Sequence, residues 1–155
     1  MKIMDILVRD AVILDVTSDS KSAVLEEMAR SLADAVSSVE PDRLLEVLRE
    51  REALQSTGIG EGVAIPHGKL ADLDCLHGVF ARLERAIDFD AIDEQPVDLI
   101  FLLLAPESAG ADHLKALAGV SRMLRDKAFC EKLRETDNAE ALYALLANSA
   151  SSRAA

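Results

Sequence analysis

Between Pro96 and Pro106 the chain reads Val97-Asp98-Leu99-Ile100-Phe101-Leu102-Leu103-Leu104, an almost unbroken apolar run fenced by two prolines. A strand with one wet face alternates apolar and polar residues, so a run carrying a single charge belongs where both faces are covered. That is the signature of a central strand, with other layers packed above and below it.

The segments around it alternate between strand and helix signals. Ile3, Ile6 and Leu7 have helical spacing for a turn or two, and Ala11 to Val16 reads as a strand rich in branched residues. Ser18, Asp19 or Ser20 can cap a helix whose apolar face is Val24, Met28, Leu32, Val36 and Val39. Pro41 suits a first helical position and opens a second helix, through Leu44, Leu45, Leu48 and Arg51, that stops near Thr57-Gly58. Short strands are expected over Gly62 to Ile65 and Leu76 to Leu83. Helices are expected over Ala111 to Arg125, Ala128 to Glu135 and Ala139 to Ala147. The reading is an α/β fold: one layered domain over 1–147, a mixed β-sheet flanked by α-helices, with 148–155 as a small, polar, flexible C-terminal tail.

Composition excludes several functions. At 155 residues, half of them hydrophobic, the chain can bury roughly 70% of its unfolded surface in one core. Seventeen Lys and Arg stand against 28 Asp and Glu, a formal charge of -11, which argues against neutralising a nucleic-acid backbone. No apolar run approaches the roughly 18 residues of a membrane span, and Lys2, Asp5 and Arg9 do not suit a signal peptide, so a cytoplasmic location is expected. Cys75 and Cys130 are read as two reduced thiols. Cys75, His77, His67 and His113 lack the paired spacing of a structural zinc site, so no metal is expected.

The chemistry concentrates in Ser56-Thr57-Gly58-Ile59-Gly60-Glu61-Gly62-Val63-Ala64-Ile65-Pro66-His67-Gly68-Lys69. Pro66 removes a donor and turns the chain, and Gly68 removes a side chain that would shield the ring, so His67 is presented. With an unperturbed pKa of roughly 6.5, neutral imidazole is a competent nucleophile near pH 7. Beside the amides of Gly58, Gly60 and Gly62 it could accept a phosphoryl group. The plainer alternative is that the glycines only shape a turn and His67 is a partly exposed polar residue.

Two more residues could complete a site. His113 falls in the first turn of the helix after the central strand, where open sheets bind ligands and helix starts favour anions. Arg51, just ahead of the glycine segment, has the planar donor fork that suits phosphate, or it merely offsets its helix dipole. Competing motifs fail: the glycines lack dinucleotide-fingerprint spacing, Gly68-Lys69 is followed by Leu70 rather than Ser or Thr, and no nucleophile elbow is present. Glu26, Glu27 and the charges from Arg43 to Glu52 read as solvated helix faces.

Taken together, the Ser56 to Leu70 segment resembles the active segment of the mannitol/fructose-type enzyme IIA (EIIA) domain of the bacterial phosphotransferase system. Ile87-Asp88-Phe89-Asp90-Ala91, Gln95-Pro96-Val97-Asp98-Leu99 and His113-Leu114-Lys115-Ala116-Leu117-Ala118 extend the similarity to the nitrogen-regulatory branch, from about Ile6 to Leu146. Ala86 departs from the branch, where proline is common.

The resemblance implies phosphorylation of His67, suspected at the tele nitrogen, with Arg51 and His113 as phosphate-stabilising residues and no cofactor. It implies a histidine phosphocarrier protein as donor, charged from phosphoenolpyruvate by an enzyme I homologue. It also implies partners regulated according to phosphorylation state, among them potassium-transport or sensor-kinase components. Ile59, Ile65 and Leu70 would form an apolar docking rim. The alternative is a sugar-specific EIIA subunit passing phosphate to a IIB domain during sugar uptake; the lack of any IIB, carrier or membrane segment favours the regulator.

Overall fold

Local chemistry sets where the helices start. The Ser20 hydroxyl accepts from the Ala23 N–H at 3.2 Å, the Asp126 carboxylate accepts from Phe129 N–H at 3.1 Å, and Pro41 opens its helix where no N–H partner is needed. The computed structural model describes the backbone of residues 3–153 and the side chains of 5–7 and 12–148. In chain order it contains the single turn α1 (Ile3–Ile6), strand β1 (Leu7–Val16), and helices α2 (Lys21–Ala35) and α3 (Pro41–Leu54). The short strands β2 (Gly58–Gly60), β3 (Val63–Ala64) and β4 (His67–Leu70) follow, then β5 (His77–Ile87) and β6 (Val97–Pro106). Helices α4 (Ala111–Leu124), α5 (Lys127–Glu135) and α6 (Ala139–Arg153) complete it.

The strands form one mixed sheet in the order β1-β5-β6-β3-β2, with β4 also on β6. The proline-bounded strand is central, as expected: it pairs antiparallel with β5 on one side and parallel with β3 and β4 on the other. Ile100, Leu102 and Leu104 join the core beneath α2 and α3, while Leu99, Phe101 and Leu103 join a second core beneath α4, α5 and α6. Each residue from Leu99 to Ala105 is fully buried.

Two boundaries differ from the sequence reading. Val39 lies beyond the end of α2, yet it is buried in the α2/α3 core from the connecting loop. Helix α6 continues from Ala147 to Arg153, past the expected limit of the domain, and residues 154–155 lie outside the described residues.

Pro66 does not turn the chain. Val63 and Ala64 pair with Leu99 and Ile100, and His67 and Gly68 pair with Leu103 and Leu104, the same offset throughout. β3 and β4 are therefore one strand interrupted where proline has no N–H to give the ladder. The Pro66 carbonyl still accepts from Leu103 N–H at 2.9 Å, which keeps the register. His67 thus sits on a strand beside the central one, a rigid mount rather than a loop tip.

Candidate functional site

Side chains alternate across a strand, and this fixes where His67 and Gly68 point. His67 shares the Leu103 side of the sheet, toward α4. Gly68 faces α3, where an added Cβ would lie 2.6 Å from Val47 Cγ1. Gly68 is therefore required by the close approach of helix and strand, not by any need to uncover the ring.

The three glycines ahead of it also have structural work. Gly60, Glu61 and Gly62 all have positive φ (107°, 56° and 83°) and make the tight connection between β2 and β3. The Gly58 N–H donates to Ser56 Oγ and the Gly62 carbonyl accepts from Asp98 and Leu99 N–H. The segment is a hairpin and not a phosphate cradle. Arg134 clasps it from α5, paired bidentately with Asp98 and donating to the Glu61 carbonyl at 3.2 Å.

The structure brings His67, Arg51 and His113 together from three elements. Half-buried His67 directs Nδ1 at the Ile65 carbonyl, 2.8 Å away, and Arg51, in the last turn of α3, donates Nε–H to His67 Nε2 at 3.3 Å. A carbonyl can only accept and a guanidinium can only donate, so both contacts demand the same tautomer: proton on Nδ1, lone pair on Nε2. Arg51 is itself braced, with Nη1 donating to the Gln55 carbonyl at 2.7 Å. The His113 ring lies 5.7 Å from that of His67, tilted by 50°, on the first turn of α4. It is only 7% exposed, and its Nδ1 has no hydrogen-bond partner among the described residues.

Burial favours the neutral form of both rings. Burial pushes the His67 pKa below its ordinary value and Arg51 adds to this, while the Ile65 carbonyl and Glu52 pull the other way. His113 is lowered by burial, then by His67 and Lys69. The arrangement is an uncharged nitrogen nucleophile facing a cleft of about 290 Å³, with a guanidinium on its lone pair and a second imidazole beside it.

Apolar side chains wall that cleft, though not all of the expected ones. Ile59 and Ile65 line it as expected, while Leu70 is buried in the α2/α3 core. Further exposed apolar surface comes from Ile92, which also lines the cleft, from Leu54 one helical turn after Arg51, and from Leu114 next to His113 in sequence. Among the described residues no group of three His, Cys, Asp or Glu is placed to hold a metal ion, and Cys75 and Cys130 are free.

Residues 5–149 match the family described as phosphoenolpyruvate-dependent sugar phosphotransferase system, EIIA 2. The chain belongs to this EIIA family. It is 50% identical to a nitrogen regulatory protein of Bradyrhizobium diazoefficiens, an alignment covering 95% of both chains. It is 41% identical to that of Escherichia coli over 94% of this chain and 90% of the other. Among solved structures, nitrogen regulatory protein IIA-Ntr from Neisseria meningitidis superposes with a TM-score of 0.87 at 39% identity, covering 93% of this chain and 98% of that one.

Within this EIIA fold, sequence reasoning missed Glu52. It is no solvated residue: its carboxylate is 7% exposed, 2.8 Å from Lys21 Nζ, and accepts from both the amide and the hydroxyl of Thr57. Lys21 also sits over the Phe89 ring, 4.8 Å from its centre. The detectable signal was Thr57, a buried polar residue five positions along whose hydroxyl needs a partner.

Proposed function

We propose that this EIIA-family protein is the phosphoryl-accepting regulator of a nitrogen-related phosphotransferase system, modified at Nε2 of His67. The single observation that carries this is the unprotonated Nε2, set by the Ile65 carbonyl on the opposite ring nitrogen, with Arg51 donating to its lone pair and His113 beside it. The names carried by the Bradyrhizobium, Escherichia and Neisseria relatives support the nitrogen-related branch.

The donor in this scheme is a histidine phosphocarrier protein. Its N–P bond breaks, the electron pair leaves with the donor's ring, and a new P–N bond forms to His67 Nε2. The Ile65 carbonyl receives the positive charge that develops on the ring through Nδ1–H. Arg51 must first release Nε2, after which its fork is free to bind the phosphoryl oxygens, with the His113 ring as a second contact. One histidine replaces another, so the step is close to balanced in free energy and reversible. No cofactor takes part. The apolar lining of Ile59, Ile65 and Ile92 offers a protein a docking surface, and an added charge of about -1.5 to -2 changes which protein it suits. Regulated partners such as potassium-transport or sensor-kinase components fit a cytoplasmic protein, and no helix among the described residues is long and apolar enough to cross a membrane.

The test is reconstitution with phosphoenolpyruvate, an enzyme I homologue and the phosphocarrier. An acid-labile label is expected on the wild type, absent in His67→Ala and weakened in Arg51→Ala and His113→Ala. A label that persists in His67→Ala refutes the reading. A sugar-transport role is the second reading, favoured by 36% identity over 83% of both chains to a fructose-specific EIIA component of Haloferax volcanii. Transfer from this protein onto a sugar-specific IIB domain would support it.

A further inference from the structure

Glu52 does not itself line the cleft, yet hydrogen bonds run from it to the ring that the preceding section makes the acceptor. Its carboxylate takes the Thr57 N–H at 3.2 Å and the Thr57 hydroxyl, and its charge is met by Lys21 Nζ at 2.8 Å. The Thr57 carbonyl accepts from Ile65 N–H at 3.0 Å. The Ile65 carbonyl, one peptide unit further, accepts from His67 Nδ1–H at 2.8 Å. Fixing Thr57 therefore fixes the strand that carries the carbonyl on which the imidazole tautomer depends. Glu52 is also the next residue after Arg51 on the last turn of α3, so the same anchor sets the helix end that delivers the guanidinium to Nε2.

We propose that Glu52 is a positioning residue for His67: through Thr57 and Ile65 it holds the ring in the Nδ1–H tautomer, with Nε2 aligned for phosphoryl transfer. The chemistry requires an anion here. Thr57 brings two donors and Lys21 an ammonium, and only a carboxylate accepts from all three. A glutamine keeps the shape of Glu52 but not its charge: its one oxygen can meet Lys21 and the Thr57 N–H, while its amide group can only donate to the Thr57 hydroxyl, reversing that bond and removing the anion that faces Lys21 and the ring. The groups facing the His67 ring are Arg51 and Glu52 from α3 and His113 from α4, with Lys69 acting on His113. Of these only Glu52 is an anion, so its removal also favours loss of a proton from the ring.

The inference rests on His67 being the phosphoryl acceptor, but its test does not. Nitrogen-15 NMR of the histidine rings reads the tautomer directly in the unmodified protein. The wild type is expected to show His67 almost wholly as Nδ1–H. In Glu52→Gln the Nε2–H form should appear, with the ring titrating at lower pH, and phosphoryl transfer should fall on the order of tenfold to a hundredfold, as is usual when the outer partner of a working histidine is lost. Thr57→Val, which removes the hydroxyl alone, should shift the ring in the same direction by a smaller amount and serves if Glu52→Gln does not fold. If folded Glu52→Gln keeps the wild-type tautomer and transfer rate, or if the wild type is already a mixture of tautomers, the inference is overturned. A label absent from His67 in wild type would instead overturn the proposed function, leaving the tautomer measurement to stand separately.

Discussion

Gly68→Ala tests whether the site is aligned by contact between strand and helix. The new methyl would sit 2.6 Å from Val47 Cγ1, which is 0.8 Å short of the 3.4 Å at which ordinary contact begins. Val47 is β-branched and held in a helix, so it has little rotamer freedom, and α3 or β4 has to move. Overpacking of this kind costs about 1–3 kcal/mol. The movement has a chemical consequence, because α3 carries Arg51 and β4 carries His67, and their 3.3 Å contact crosses the strained gap. A displacement near 1 Å can reduce a positioned reaction on the order of a hundredfold. Urea denaturation should therefore place Gly68→Ala about 1–3 kcal/mol below wild type, and the phosphorylation assay should show a loss larger than any fraction unfolded explains. Val47→Ala removes the opposing methyl. In the double variant the two costs should not add, and a coupling of about 1 kcal/mol or more is expected for residues in direct contact. Strict additivity, or a Gly68→Ala protein as stable and as readily phosphorylated as wild type, would refute the claim that this approach aligns the site.

Three other outcomes follow from the same geometry. Arg51→Lys keeps the charge but loses the fork that reaches both Gln55 and His67, so phosphoryl transfer should drop on the order of a hundredfold in a rate assay with the melting temperature little changed. His113→Leu removes a buried ring nitrogen that has no partner among the described residues, so denaturation should show equal or greater stability, by up to about 1 kcal/mol, while transfer weakens. Stability should also fall in acid: His67 and His113 both titrate below the ordinary 6.5 when folded, so the unfolded chain takes up protons first. Their contribution is complete above pH 6.5 and drains away as the pH drops through the folded values. Denaturation midpoints across pH 4.5 to 7.5 should show that slope, and His113→Leu should make it shallower.

The legible parts of this protein are those whose physics is local in sequence. An apolar run between two prolines can only be a strand covered on both faces, so the central position of β6 follows from ten residues alone. Helix periodicity and capping located α2 to α5 within a few residues for the same reason. His67, Arg51 and His113, singled out by residue type, do lie together in the structure. What could not be read is how each position is enforced. The offset that makes β3 and β4 one strand is a property of their pairing with β6, some 36 residues away in the Val63–Leu99 pair, and nothing in Ile65-Pro66-His67 distinguishes a turn from a gap in a strand. Gly68 looked like an opening for the imidazole, whereas its absent side chain makes room for Val47, twenty-one positions earlier. Glu52 looked like surface charge because its helix neighbours are charged, and only the return of Thr57 and the arrival of Lys21 from α2 make it an interior anion. The errors share one direction. Each residue next to the histidine was assigned to the histidine's chemistry, while the structure uses most of them to hold strand and helix in place and gathers His67, Arg51 and His113 from three separate elements.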